Sequence, residues 1–152
     1  MRLLRTLAMT MQQFFYIRRE KRYEQVRFAD IIYVKGKSGY IQIVTEQQTY
    51  LVMNTLTIVK KFLPDELFCR IHHSYIVALS RVKAFDRTYV QLYEATEENP
   101  FKLGLARASQ LPVGFRYRGD LRKSVAIMRN KSGSHTSLVR RAKWDLELEE
   151  VE

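Results

Sequence analysis

The chain has 152 residues, a formal net charge of +10 and a pI near 9.9. This length allows one domain with tails but no second core, and a lone cysteine excludes an internal disulfide or a cysteine-rich zinc site. Residues 129–152 hold five basic and five acidic residues, so the whole positive excess lies in residues 1–128, and a domain so charged should attract polyanions.

The first residues of the chain do not have the pattern of a secretory signal. Their apolar run is interrupted by Arg5 and Thr6, and no small-residue cleavage site follows. No run in the chain approaches the roughly 18 apolar residues of a membrane-spanning helix. We therefore expect a cytoplasmic protein without membrane insertion, a compartment that also suits a single reduced cysteine.

Short runs of β-branched and aromatic residues dominate the chain from residue 14 onward. Charged or glycine-bearing turns separate these runs, which predicts a mainly β fold. The nine predicted strands are residues 14–18, 23–28, 31–35, 40–45, 49–53, 68–72, 75–79, 82–86 and 89–93. A polar loop is predicted at 94–100, and residues 102–105 are the candidate for a tenth strand.

Two segments have helical rather than strand periodicity. The first runs from a cap at Asn54 or Thr55 to Pro64. Its predicted apolar stripe is Leu56, Ile58, Val59, Phe62 and Leu63. The predicted apolar face of the second helix is Tyr117, Leu121, Val125 and Met128. From residue 129 onward we expect a flexible linker and an acidic tail, and residues 1–13 form an N-terminal extension.

The stretch RIHHSYIVALSRV, residues 70–82, is the most informative part of the sequence. It is an apolar strand with two adjacent histidines and an arginine at its entrance. On an extended strand, neighbouring side chains point to opposite faces. We therefore expect one histidine to face a partner and the other to face the interior.

This stretch resembles the signature of the LytTR family of bacterial DNA-binding domains, an Arg-x-His-x-Ser-Tyr/Phe-Ile/Val-Val strand. Residues 28–45, 54–64 and 111–121 resemble three further segments of the family, in the family's order. The resemblance implies an elongated, multi-strand β-rich domain at residues 14–128, with one short central helix and a C-terminal helix. It also implies a function, namely sequence-specific binding of duplex DNA in a transcriptional regulator that reads major grooves with loops and strand ends.

Two of the family's DNA-contacting places are matched directly. In the first, Lys37 and Ser38 are expected to meet phosphates, and Tyr40 occupies a base-reading position, although an aromatic there can equally pack on its neighbours. The second is His73, which follows the motif histidine and can contact a guanine acceptor or a phosphate. His72 is expected to be the inward, hydrogen-bonded histidine.

The third place departs from the family pattern. The resemblance implies an arginine near Phe115, where this chain has Gly114, Phe115 and Arg116, so it does not imply direct base reading by Phe115. Arg116 or Arg118 can supply the charge, and Phe115 can touch a thymine methyl or pack beneath the sheet. Ala78 also replaces the asparagine usual at the end of the signature strand.

The residues do not favour an enzyme. Cys69 and His72 are expected on opposite faces of one strand, and no carboxylate pair, phosphate loop or zinc spacing accompanies them. No cofactor or metal is expected. Two other functions stay open: a protein-interaction module that binds an acidic partner, and a non-specific RNA-binding protein. The RNA reading is disfavoured because most Tyr and Phe residues alternate with apolar neighbours in strands, which indicates core packing.

The resemblance also bears on partners. Many LytTR proteins carry a receiver domain before the DNA-binding module, and here few residues precede Phe14. We therefore expect a standalone regulator that acts on paired sites through a second copy of itself. Its input could come from a separately encoded membrane or signalling partner, from abundance alone or through the tails.

Overall fold

The computed structural model describes residues 13–93 and 108–131. Ten strands and two short helices make up most of this part of the chain. The strands are β1 (Phe14–Arg19), β2 (Arg22–Arg27), β3 (Ile31–Lys37), β4 (Tyr40–Thr45), β5 (Thr49–Val52), β6 (Phe68–His72), β7 (Tyr75–Ala78), β8 (Val82–Phe85), β9 (Tyr89–Leu92) and β10 (Gln110–Pro112). The helices are α1 (Leu56–Lys60) and α2 (Arg118–Ser124). The predicted mainly β class is confirmed, and all nine predicted strands are present.

The strands form three antiparallel sheets. The central sheet has five strands in the order β5-β4-β3-β7-β6, a ribbon contains β1 and β2, and a third sheet has the order β10-β9-β8. Strand β3 pairs with both β4 and β7. This pairing places the β3–β4 turn and the β6–β7 turn at the same end of the central sheet.

Each face of the central sheet covers its own hydrophobic core. One core lies between the sheet, the ribbon and α1, and the other between the sheet, the third sheet and α2. Because both faces are covered, four consecutive residues of β3, Ile31–Val34, are buried. A register irregularity between Ile31 and Tyr33 accompanies this run.

Helix α1 begins where the sequence predicts. Thr55 is the cap, and its Oγ1 accepts a hydrogen bond from the Ile58 amide at 3.3 Å. The predicted width of the buried stripe is wrong, since Ile58 is 39% and Phe62 56% exposed. Phe62 lies at the edge of the first core, where its ring centroid is 6.1 Å from that of Phe15.

Helix α2 is shorter than predicted. It ends at Ser124, Val125 has extended backbone angles and Met128 is exposed. Within the helix only Leu121 is buried, so another turn would gain little apolar contact. The Ser124 hydroxyl also donates to the Asp120 carbonyl, a local bond that competes with the backbone ladder.

The third sheet contains a strand that the sequence pattern did not predict. Strand β10 is only three residues long, and it pairs with β9 through Leu111 opposite Val90. The candidate strand at 102–105, the polar loop at 94–100 and the linker and acidic tail beyond Lys131 lie outside the described residues. Within the described ranges, no helix is long and apolar enough to cross a membrane.

Candidate nucleic-acid interface

Two hairpin turns lie side by side at one end of the central sheet. The β3–β4 turn contains Ser38 and Gly39, and the β6–β7 turn contains His73 and Ser74. The Gly36 amide donates to the Ser74 carbonyl at 2.8 Å and joins the two hairpins. Because β3 and β7 are paired in the same sheet, the two turns form one continuous surface.

A groove of about 510 Å³ runs between these turns and the start of α1. Its lining residues are Gly36, Lys37, Ser38, Gly39, Tyr40, Ile41, Asn54, Thr55, Leu56, Thr57, Arg70, His73 and Ser74. The lining includes two permanent cations, Lys37 and Arg70, and no carboxylate. Four of the predicted site residues, from two separate stretches of sequence, therefore meet in one groove whose charge is positive.

Two glycines shape the groove in different ways. Gly39 has φ of +80° in the β3–β4 turn, a conformation that L side chains rarely adopt. Gly36 lies within β3, and a Cβ there would be 2.9 Å from Leu56 Cγ. Gly36 therefore belongs to the strand rather than to the turn, and its lack of a side chain lets α1 approach the sheet.

The predicted residues of the first turn differ in exposure. Lys37 and Ser38 are exposed, whereas Tyr40 is half-buried opposite Lys37 in the β3–β4 register. No salt bridge in the described ranges involves Lys37. Its ammonium is thus available for an anion at the rim of the groove.

The two histidines differ as predicted, but for a different reason. His72 is half-buried and its Nδ1 accepts a hydrogen bond from the Ser74 amide at 2.9 Å, while His73 is exposed. His73 lies in the turn rather than on an extended strand, so strand alternation does not explain its exposure. A register irregularity between Arg70 and His72 also breaks the alternation assumed for this strand.

Arg70 holds the β6–β7 turn in place. Its Nη2 donates to the His73 carbonyl at 2.8 Å, its Nε to the His72 carbonyl at 3.3 Å and its Nη1 to Thr57 Oγ1 at 3.3 Å. The guanidinium carbon also lies 5.7 Å from the centre of the Tyr117 ring. We did not select Arg70 as a site residue from the sequence, although an arginine between Cys69 and Ile71 in an apolar strand was the signal that could have revealed it.

The third predicted place lies next to the groove but does not line it. Gly114 crosses His72, and its amide donates to the Ile71 carbonyl at 2.7 Å. Phe115 is 82% exposed and Arg116 is exposed, so Phe115 does not pack beneath the sheet. Arg118 is engaged on the domain itself, because its Nε donates to the Arg87 carbonyl at 2.8 Å and its guanidinium carbon is 5.2 Å from the Phe115 ring centre.

The described residues contain no group of three His, Cys, Asp or Glu side chains able to hold a metal ion. Cys69 is buried, and burial raises the pKa of its thiol, which disfavours the nucleophilic thiolate.

Several aromatic side chains are exposed, contrary to the expectation of core packing. Tyr16 and Tyr23 on the ribbon are 56% and 66% exposed. They share their face of the ribbon with Arg18 and Arg27, which stand opposite Tyr23 and Phe14 in the register. The strand alternation was correct, but only one face of the two-stranded ribbon is covered by the core.

Comparison with known proteins identifies relatives of this domain. The family model described as the LytTr DNA-binding domain matches residues 21–126. The chain is 29% identical over 98 residues to the sensory transduction protein LytT of Bacillus subtilis (strain 168), covering 64% of this chain and 37% of that protein. It is also 29% identical over 89 residues to the sensory transduction protein LytR of Staphylococcus epidermidis, covering 59% and 35%.

A solved structure supports the fold. It is described as the LytTr DNA-binding domain of a methyl-accepting/DNA response regulator from Bacillus cereus. The TM-score is 0.56 at 19% sequence identity, and the likeness covers 74% of this chain and 96% of that one. At this identity the likeness establishes the arrangement of strands and not the contacts of individual side chains.

Proposed function

Because the chain belongs to the LytTr DNA-binding domain family, we propose that it binds duplex DNA in a sequence-specific manner and regulates transcription. The chain spans less than two fifths of the length of the LytT and LytR proteins that it matches. The proposal therefore rests on the domain and on its own surface.

One observation carries the proposal: the two hairpin turns share a groove that is lined by cations and by no carboxylate. Phosphate contacts supply most of the affinity of a DNA-binding protein, and a few side chains at base edges supply its selectivity. Exposed turns at the end of a sheet are narrow enough to enter a groove of the duplex.

The side chains divide into two roles. Lys37, Ser38 and Arg116 contact phosphates, which requires charge or a hydroxyl donor but no fixed partner. His73 and Tyr40 contact base edges, because an imidazole and a phenol can each donate and accept. Phe115 is exposed beside Arg116 and can contact a thymine methyl.

Further parts of the proposal follow from the same function. The DNA-binding unit is residues 14–128, it acts in the cytoplasm without catalysing a reaction, and two copies bind paired sites. The input comes from a separately encoded membrane or signalling partner, from the abundance of the protein or through the tails. A size measurement of the complex on duplexes with one and with two sites tests the pairing.

Alanine substitutions inside and outside the groove provide the decisive test of this proposal. On a duplex selected from a random pool, Lys37→Ala and His73→Ala should each weaken binding at least about fivefold, or about 1 kcal/mol. Lys61→Ala is the matched control, because Lys61 is exposed, directly follows the last residue of α1 and does not line the groove. Equal effects of Lys37→Ala and Lys61→Ala would show that only net charge matters and would remove the groove from the interface.

A second function, binding of single-stranded RNA, is favoured by the ribbon. Tyr16 and Tyr23 are exposed among arginines, and exposed aromatics are what RNA-binding sheets use to stack bases. Competition between the selected duplex and an RNA of equal length distinguishes the two functions. RNA that displaces the duplex at equal concentration, and loses this ability with Tyr16→Ser and Tyr23→Ser, would favour the RNA function.

A further inference from the structure

A second groove lies on another part of the domain, between strand β8 and the chain that follows α2. Its volume is about 910 Å³, and β8 is the edge strand of its sheet. The apolar residues that line it are Leu79, Val82, Ala84, Phe85, Val125, Ala126, Ile127 and Met128. Ile127 and Met128 are 45% and 62% exposed, so this apolar surface lacks a cover within the described residues.

The rim of this β8 groove is positively charged. Lys83, Arg87, Arg118 and Arg122 line it, and Asp86 is the one carboxylate among the lining residues. Asp86 is already occupied in its own loop, since it accepts hydrogen bonds from the amides of Tyr89 and Thr88, which hold its pKa below the usual value. An occupant of the groove should therefore be apolar on one side and anionic on the other.

One segment of the chain outside the described residues has this composition. Residues 144–152, WDLELEEVE, contain five carboxylates and no cation. Trp144, Leu146 and Leu148 alternate with acidic residues, so an extended backbone would place apolar groups on one side and carboxylates on the other.

The length of chain between the groove and this segment suits an intramolecular contact. Met128 lines the groove, and 15 residues separate it from Trp144. A chain of this length spans roughly 20 Å when flexible, which is enough to return to the surface it has just left. Linkage of this kind raises the effective concentration of a segment to the millimolar range.

We propose that the acidic segment 144–152 binds in the β8 groove of its own chain. Trp144, Leu146 and Leu148 cover the apolar floor, and the carboxylates between them face the cationic rim. The segment lies extended beside the edge of β8, where an added strand can pair with the backbone.

Occupation of the groove regulates DNA binding, a consequence that rests on the proposed function. Arg118 lines the β8 groove and also contacts Phe115, which belongs to the proposed DNA surface. The bound carboxylates neutralise cations next to that surface. If the segment is bound in about nine of ten molecules and excludes DNA, its removal should raise the apparent affinity about tenfold.

The fluorescence of Trp144 tests the binding directly, because it is the only tryptophan in the chain. The fluorescence emission of the native full chain should peak at a shorter wavelength than that of the chain in denaturant. Ile127→Asp and Arg122→Glu should each shift it back to the red, with melting temperature checked for both. Arg27→Glu is the matched control, since Arg27 is exposed on the ribbon and the change in charge is the same.

Three results would overturn the proposal. Emission in the native chain that matches the denatured chain would show that Trp144 has no apolar contact. Emission shifted to the blue but unaffected by Ile127→Asp and Arg122→Glu would place the segment elsewhere. A shift lost on dilution would assign the groove to the segment of a second copy. None of these readings involves DNA, so failure of the proposed function would leave the test intact.

Discussion

Replacing Arg70 by lysine separates the two contributions that its guanidinium can make at the β6–β7 turn, namely fixing the turn with hydrogen bonds and supplying positive charge. Arginine fixes the turn with bonds to the carbonyls of His72 and His73 and to Thr57 Oγ1. Lysine keeps the charge but cannot reproduce this fork of donors. If Arg70 positions the turn, Arg70→Lys should weaken DNA binding almost as much as Arg70→Ala does.

The expected magnitude follows from the geometry of these bonds. A hydrogen bond from a charged donor contributes about 1.5–3 kcal/mol when buried, but two of the three bonds are 3.3 Å long and the residue is half-exposed. We therefore expect Arg70→Ala to lower the free energy of unfolding by about 2 kcal/mol, with a small further loss from the contact with Tyr117. Loss of the fixed turn should weaken binding to the selected duplex about tenfold.

Urea unfolding and fluorescence anisotropy at several salt concentrations measure both effects. Arg27→Lys on the ribbon is the matched control and should change neither. Positioning predicts that Arg70→Lys loses affinity while the dependence on salt stays the same. The reasoning would be refuted if Arg70→Lys bound like the native protein and Arg70→Ala lowered the salt slope by about 0.9, because Arg70 would then be a phosphate contact.

Three further comparisons between variants test other parts of the account. Gly36→Ala should lower the free energy of unfolding by about 1–3 kcal/mol, because its methyl group presses against Leu56. In urea unfolding, this destabilisation should be smaller in a Leu56→Ala background, and strict additivity of the two substitutions would contradict the contact. His72→Ala should lower stability by about 1–2 kcal/mol through loss of the bond from the Ser74 amide, whereas His73→Ala should leave the melting temperature unchanged; the opposite result would mean that their roles are exchanged. Arg116→Ala should weaken all duplexes about equally and lower the salt slope by about one, with Arg118→Ala having less effect because Arg118 is bound to the Arg87 carbonyl; a loss confined to one base pair would instead make Arg116 a base reader.

The sequence predicted the strands well because most of them have one covered face or a dense apolar run. The N-cap of α1 was also predictable, since Thr55 precedes an apolar stripe and makes the expected bond. The width of the buried stripe on α1 could not be predicted, because the exposure of Ile58 and Phe62 depends on how far the ribbon reaches over α1. The C-terminal end of α2 could not be predicted either, because it depends on which residues pack against Val125 and Met128.

The candidate site was predicted residue by residue through the family resemblance, and the structure shows how part of it is assembled. Lys37, Ser38, Tyr40 and His73 line one groove because β3 and β7 are paired, a fact of topology that no local pattern contains. The role of Gly36 was missed for the same reason, because it depends on a contact with Leu56, which is distant in sequence. Arg70 was missed although an arginine in an apolar strand was a local signal, and one of its three hydrogen bonds reaches the distant Thr57.

The central claim, sequence-specific binding of duplex DNA, is tested most directly by comparing a duplex selected from a random pool with a scrambled duplex of equal length. The native protein should bind the selected duplex at least about a thousandfold more tightly, and both affinities should fall steeply as salt rises. Equal affinity for the two duplexes at every salt concentration would contradict the claim, and the groove between the two hairpin turns would then have to bind an anionic partner other than a DNA sequence.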